Sequence, residues 1–359
     1  SEFDNYLKQY SDNLSQARGY SFGALMYQII PHESFKRNGK TYRDTTNREG
    51  EYISLYAEDL KNTIEYYEKA KSLYYQQKSS KEINEEIIKL NFNFAEFLQY
   101  NYGYQGQALA KQNVSEKDTY NPKWAKNIQI IFLYDEIIKL NKIVKNQHYD
   151  ANSLFKKATY FVNTNGINRD YENEKEPVIK KQDPLTLLYQ VVNKYSDDSV
   201  APEAMMGIGQ IYAAKGQFGN ALEIYDSLIK KYPKSFRVSD AKFETQNIRH
   251  RELFINSQGI QKPGVKPKIN ISIKNIKNIK LKVYSIDLVN ILKTKIKEPY
   301  VQFNSFLQSY SNKLEDARKF YKEKVYEVNI TTGDKGDYKQ FNKEIELPIK
   351  ESGAYFVEV

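Results

Sequence analysis

"AMMGIGQIYAAKGQFGNALEIYDSLIKKYPKS", residues 204–235, carries the most regular pattern in the chain. Met205, Ile208 and Tyr212 recur at helical spacing, and so do Ala221, Tyr225 and Leu228. Gly216 interrupts the two runs and Pro233 follows the second, which are stop signals for helices. Gly209 and Ala221 have almost no side chain. Two helix backbones could therefore approach closely there, with Tyr212 and Tyr225 filling the gaps around them. The stretch predicts two short helices folded back on each other.

The unit recurs. "LYQVVNKYSDDSVAPEA" aligns with "YDSLIKKYPKSFRVSDA", placing Leu188 on Tyr225, Val192 on Ile229, Tyr195 on Tyr232 and Ala204 on Ala241, an offset of 37 residues. The order of large residue, apolar-Gly and Tyr, then a Gly turn, small residues and a closing Pro resembles the tetratricopeptide pattern, whose period is about 34 residues. One such pair cannot bury its apolar face, so neighbours must stack. "FLYDEIIKLNKIV" resembles another second helix. Further helices are expected over 3–30, 51–77, 80–100 and 122–145, with a shorter one at "DANSLFKKATYFV". Residues 33–50 read as a polar loop and 164–182 as a polar linker. We expect 1–255 to be one irregular solenoid: an irregular α-helical region over 1–182, then tetratricopeptide-like repeats over 183–255.

The period then changes. "NSQGIQKPGVKP" has the Gly and Pro of a linker, placed at 256–267. Beyond it Ile269, Ile271 and Ile273 alternate with polar residues, as do Ile279, Leu281 and Val283. A period of two places one strand face in a core. Further strands are expected at "VYEVNI", "KEIELPI" and "AYFVEV", with a helical insertion at about 297–323. Five to seven strands over 268–359 point to an immunoglobulin-like β-sandwich. The expected fold class is α then β: a helical solenoid followed by that sandwich.

Composition excludes several classes. The 359 residues hold 31 Tyr and 18 Phe, too much aromatic bulk for a disordered chain. The formal charge is +9, but in "KSSKEINEEIIKL" and "NKLEDARKFYKEK" the lysines alternate with acids, the pattern of solvated helix faces rather than a nucleic-acid surface. Cysteine is absent, which removes disulfides, thiolate metal sites and Cys nucleophiles from this chain. No apolar run reaches the roughly 18 residues of a membrane span. The chain opens on "SEF" without Met and stops at "GAYFVEV", so a piece of a longer protein is expected.

No catalytic constellation emerges, and we expect no enzyme, no cofactor and no metal. His32, His148 and His250 lie far apart without paired ligand spacing. The acidic pairs Asp197–Asp198 and Glu85–Glu86 read as loop or helix-face residues rather than a glycosidase pair. "GYSFG", "GYQG" and "GIGQ" lack a phosphate-loop Lys-Ser/Thr. Tyrosines in "YYEKAKSLYYQQK" and "LQYNYGYQGQ", Tyr102 and Tyr104 among them, could stack on sugars or anchor a protein if exposed, although Tyr also serves as core filling.

Three further pieces carry a resemblance: "LYDEIIKLNKIVKNQHYDANSLFKKATYFV", "KNIKNIKLKVYSID" and "IELPIKESGAYFVEV". A helical region, a linker and then these strands resemble the front of bacterial alpha-2-macroglobulin proteins. The resemblance implies a non-catalytic N-terminal part of a protease-trapping envelope protein, ending in its first macroglobulin-like domain. Proteases would act through regions beyond Val359. Family members are usually exported, often as lipoproteins, which implies the periplasm or cell surface and an anchor before residue 1. The helical repeats would bind protein partners. Two other roles fit the same elements: a stand-alone repeat adaptor of envelope or secretion assembly, and a glycan-binding surface lipoprotein.

Overall fold

The computed structural model describes residues 2–10, 12–43, 46–102, 119–165, 183–257, 262, 264–287, 289 and 318–359. The chain divides into two compact units: Ser1–Lys215 with Ser227–Val238, and Gly216–Asp226 with Ser239–Val359.

The first unit is mainly helical. Its helices are α1 (Glu2–Leu7), α2 (Asn13–Ile29), α3 (Tyr56–Tyr75), α4 (Lys81–Tyr102), α5 (Lys126–Val144), α6 (Gln147–Asn165), α7 (Pro184–Lys194) and α8 (Ala201–Ala214). From α1 to α8 each packs on the next, α2 on α3 included although the strands of a small sheet lie between them in the chain; α6 also touches α8. That nearest-neighbour order is how a stack of helix pairs buries its core. Tyr67, Phe94, Tyr134 and Tyr160 are among the largest fully buried side chains, so tyrosine fills much of the interior. Tyr67 stacks on Phe94 with ring centroids 4.7 Å apart.

Several expected boundaries move. The single helix over 3–30 is two helices, because Asp12 caps a new one by accepting from the Ser15 N–H at 2.7 Å. The helix expected from 122 starts at Lys126, after a turn at Pro122–Trp124. The loop expected at 33–50 is a sheet instead: β1 (Glu33–Arg37), β2 (Lys40–Tyr42) and β3 (Glu51–Ser54) pair antiparallel in the order β2-β1-β3. Asn38 and Gly39, with φ of 49° and 76°, make the two-residue turn between β1 and β2. Both central residues have φ above zero, which is why Asn-Gly is favoured in tight hairpins. β3 also takes the first residues assigned to the 51–77 helix.

The second unit holds α10 (Arg237–Arg249, from Ser239 on), the start of α9 (Phe218–Lys231) and six described strands. β4 (Glu252–Ser257), β5 (Lys268–Lys274) and β8 (Phe341–Glu346) form one antiparallel sheet in the order β4-β5-β8. β6 (Asn278–Ile286), β7 (Tyr321–Thr331) and β9 (Ala354–Glu358) form the other, in the order β7-β6-β9. Ile269, Ile271 and Ile273 of β5 join Ile279, Leu281 and Val283 of β6 and Leu347 in a single buried apolar cluster. The alternation read from the sequence is therefore the alternation between core and solvent. Consecutive strands β5 and β6 lie in different sheets, so the turn at 275–277 carries the chain from one sheet to the other. Outward-facing ion pairs tie the strands, Lys268 to Glu344 at 2.7 Å and Lys280 to Glu327 at 2.5 Å. Lys280, then Lys324, hydrogen-bond Glu327 and hold its carboxyl down at about 2.

The strands of the second unit begin at Glu252, inside the span assigned to the repeats and before the expected linker. Residues 297–317 of the expected helical insertion lie outside the described residues, and its last three are strand, since β7 starts at Tyr321.

Candidate functional site: the repeat module

The repeat is visible in its turns. After α7, the Tyr195 N–H donates to Val191 O, Asp198 N–H to Tyr195 O and Ala201 N–H to Asp198 O. After α9, 37 residues on, Tyr232 N–H donates to Leu228 O, Ser235 N–H to Tyr232 O and Val238 N–H to Ser235 O. Side chains repeat the correspondence: Asp198 Oδ1 accepts from Val200 N–H at 2.9 Å, and Ser235 Oγ from Arg237 N–H at 3.2 Å. Ala204 and Ala241 are both fully buried. The two turns are also joined, since Tyr232 donates its hydroxyl to Ser196 O at 2.7 Å. Arg237 closes on Glu203 at 2.7 Å.

The residues singled out in the sequence fall as follows. Met205, Ile208 and Gly209 are on the buried side of α8, and Ala221, Tyr225 and Leu228 are buried on α9. Gly216 makes the turn between these helices with φ of +68°, in the left-handed region that other residues enter at a cost. Pro233 sits exposed just past the end of α9, where its lack of an N–H costs nothing. Tyr212 is only half buried, and its hydroxyl meets that of Tyr189 of α7 at 3.1 Å. Burial, and then the bond to Tyr212, push the Tyr189 phenol up to about 12. A tetratricopeptide repeat model matches residues 203–235. No curated protein matches the chain. Tetratricopeptide-like helical structure, with the capacity for protein binding that such repeats carry, is thus what the centre of the chain offers.

On α8, Glu203, Gly207, Gln210 and Ala214 follow one helical stripe that is half buried at its start and exposed at Gln210 and Ala214. Gly207 is next to α7, since a β-carbon there would touch Leu188 Cδ1 at 3.4 Å. Gly207 and Ala214 add little side-chain bulk to this stripe.

The histidines and acidic pairs have local roles. His32 Nδ1 lies 2.8 Å from Asp59 Oδ2, and Arg43 clamps the same fully buried carboxylate through both oxygens. His148 lies 3.1 Å from Asp198, and His250 3.8 Å from Glu252. Glu86 accepts from Arg18 and Tyr74, and the Arg18 bond holds its carboxyl below the usual range. Among the described residues no group of three His, Asp or Glu could hold a metal ion, and no helix is long and apolar enough to cross a membrane.

One cluster had no sequence signal. Lys71 of α3 is buried and pairs with Glu136 of α5, which also accepts from Tyr75 and from Asn91 of α4 at 3.0 Å. The Lys71 ammonium lies over the Tyr75 and Tyr120 rings, 5.2 and 4.7 Å from their centroids. Burial lowers the Lys71 pKa, against the pull of Glu136. Tyr120 in turn donates to Glu68, whose carboxyl burial raises. The network pins α3, α4 and α5 together. The tyrosines considered as a binding platform divide: Tyr66, Tyr67 and Tyr74 are buried and Tyr102 is half buried, while Tyr75 and Tyr100 are exposed, Tyr100 by 80%. Tyr104 lies outside the described residues.

Proposed function

We propose that the chain is a non-catalytic, protein-binding front part of an alpha-2-macroglobulin-like protein of the bacterial envelope. In this reading the helical stack presents the α8 stripe to a partner protein, and the two sheets are the first macroglobulin-type sandwich. The observation that carries it is the duplicated helix pair with its 37-residue offset, followed by paired sheets around one apolar cluster. Stacked helix pairs offer extended surfaces suited to holding other chains. Periplasmic or cell-surface location, and proteases as the eventual targets through segments beyond Val359, belong to the same proposal.

Two measurements test it. The full chain, and a Gln210→Arg/Ala214→Arg variant, are used to retrieve proteins from bacterial envelope extracts with quantification of each capture. An envelope protein retained by the original and lost by the variant supports the repeat face; equal retention, or none by either, overturns it. The gene beyond Val359 tests the family: further β-sandwich domains support it, and any other continuation overturns it.

A further inference from the structure

An open cleft of about 520 Å³ lies within the second unit, where the end of α10 meets the β5–β6 turn and the loop before β8. That volume is in the range of ligand sites, roughly 300–1,000 Å³. Arg249, Arg251 and Lys277 line it, with Asp334, Asn275 and Tyr338. Arg249 is taken by Asp226 at 3.1 Å. Arg251 and Lys277 are exposed and have no ion pair among the described residues.

The cleft is held in shape. Asn275 donates to Ile248 O at 2.7 Å and His250 O at 2.8 Å, and Lys274 to Asn247 O at 2.9 Å. Two carbonyls in the last turn of α10, which would repel an anion, are thereby occupied. Buried Thr332 fixes the opposite wall by donating to Ile276 O at 2.5 Å. Two of the four non-glycine residues with positive φ among the described ones, Asn275 at 58° and Tyr338 at 64°, line this cleft. Such backbone is sparsely populated and gathers at ligand sites.

We propose that this cleft binds the carboxylates of an acidic peptide segment. Arg251 and Lys277 take the carboxylates, Asn275 is already spent on the wall, and the Tyr338 ring supplies an apolar side. Asp334 in the lining argues against a polyphosphate ligand, because every added phosphate would meet its repulsion. A peptide meets it with a backbone N–H. The site uses none of the residues of the α8 stripe and does not depend on the function proposed above.

The test uses the full chain and three fluorescent probes: a capped peptide with two adjacent glutamates, its glutamine counterpart, and a short single-stranded DNA. Anisotropy is read at low and high salt. The proposal expects the glutamate peptide to bind, more weakly with salt, and the glutamine peptide not to. Arg251→Gln/Lys277→Gln should weaken binding at least about tenfold, while the charge-matched Lys139→Gln/Lys142→Gln on α5 leaves it unchanged. Asp334→Asn should tighten it, by roughly threefold, and this variant decides the matter if the first does not fold. Equal binding of both peptides, an unaffected double variant, weaker binding by Asp334→Asn, or preference for DNA would each overturn the proposal.

Discussion

Tyr225 shows how a residue can be right for packing and wrong for polarity. It occupies a position where the sequence pattern calls for a large ring and is fully buried, yet its hydroxyl has no hydrogen-bond partner among the described residues. A buried hydroxyl without a partner costs about 1–3 kcal/mol. Tyr225→Phe should therefore raise stability by about 1 kcal/mol, measured as the urea midpoint; a drop would mean that the hydroxyl is satisfied. The pattern could show that a large ring belongs at position 225. It could not show whether the ring's oxygen finds a donor or acceptor, because that depends on neighbours from elsewhere in the chain. Asn38–Gly39 is the reverse case, a legible hairpin signal in a stretch whose polarity reads as loop.

At the scale of elements, the two turns make different demands on equivalent residues. Asp198 and Ser235 each satisfy a backbone N–H at the same repeat position, but Asp198 also faces His148. Replacing such a group by Ala costs about 1 kcal/mol. Ser235→Ala should cost that much and Asp198→Ala more, with thermal melts giving the order. The Lys71 network ties three helices, and its failure should be larger. Glu136→Gln leaves the buried ammonium uncompensated and should cost about 3 kcal/mol, while Lys71→Met/Glu136→Leu should recover most of that. If the double variant is as unstable as the single one, the pair is worth more than its apolar replacement. Helix identity was legible here from period alone. Burial of Lys71 was not, because a lysine among alternating charges looks the same whether its face meets water or a neighbouring helix. The start of β4 was hidden for a related reason: "ELFINS" is half exposed to exposed throughout, so no alternation marks it.

At the scale of the whole molecule, tyrosine is the dominant buried titratable group among the described residues. Burial raises the phenols of Tyr67, Tyr160 and Tyr225, Tyr67 to about 12. In the unfolded chain they ionise near pH 10. Above that pH the unfolded state releases protons that the folded state keeps, so stability is intact below about pH 10 and lost as pH rises towards 12, by up to about 1.4 kcal/mol per pH unit for each fully shifted group. Urea midpoints from neutral to alkaline pH should fall steeply, with tyrosinate absorbance appearing together with unfolding. Early ionisation of all the phenols without unfolding would contradict this. The coarse architecture, helices and then strands, was legible because the periods 3.6 and 2 are properties of local sequence. The division into units was not, because it follows from contacts between distant stretches.

That division has a practical reach. The chain passes between units after Lys215, again after Asp226 and once more after Val238. No single cut in the polypeptide separates them: severing it at the change of period strands an eleven-residue piece of the sheet-bearing body, Gly216–Asp226, on the wrong fragment. Dissection of this protein into expressible halves therefore calls for co-expression, or for splicing the two stretches of each body together, rather than for truncation.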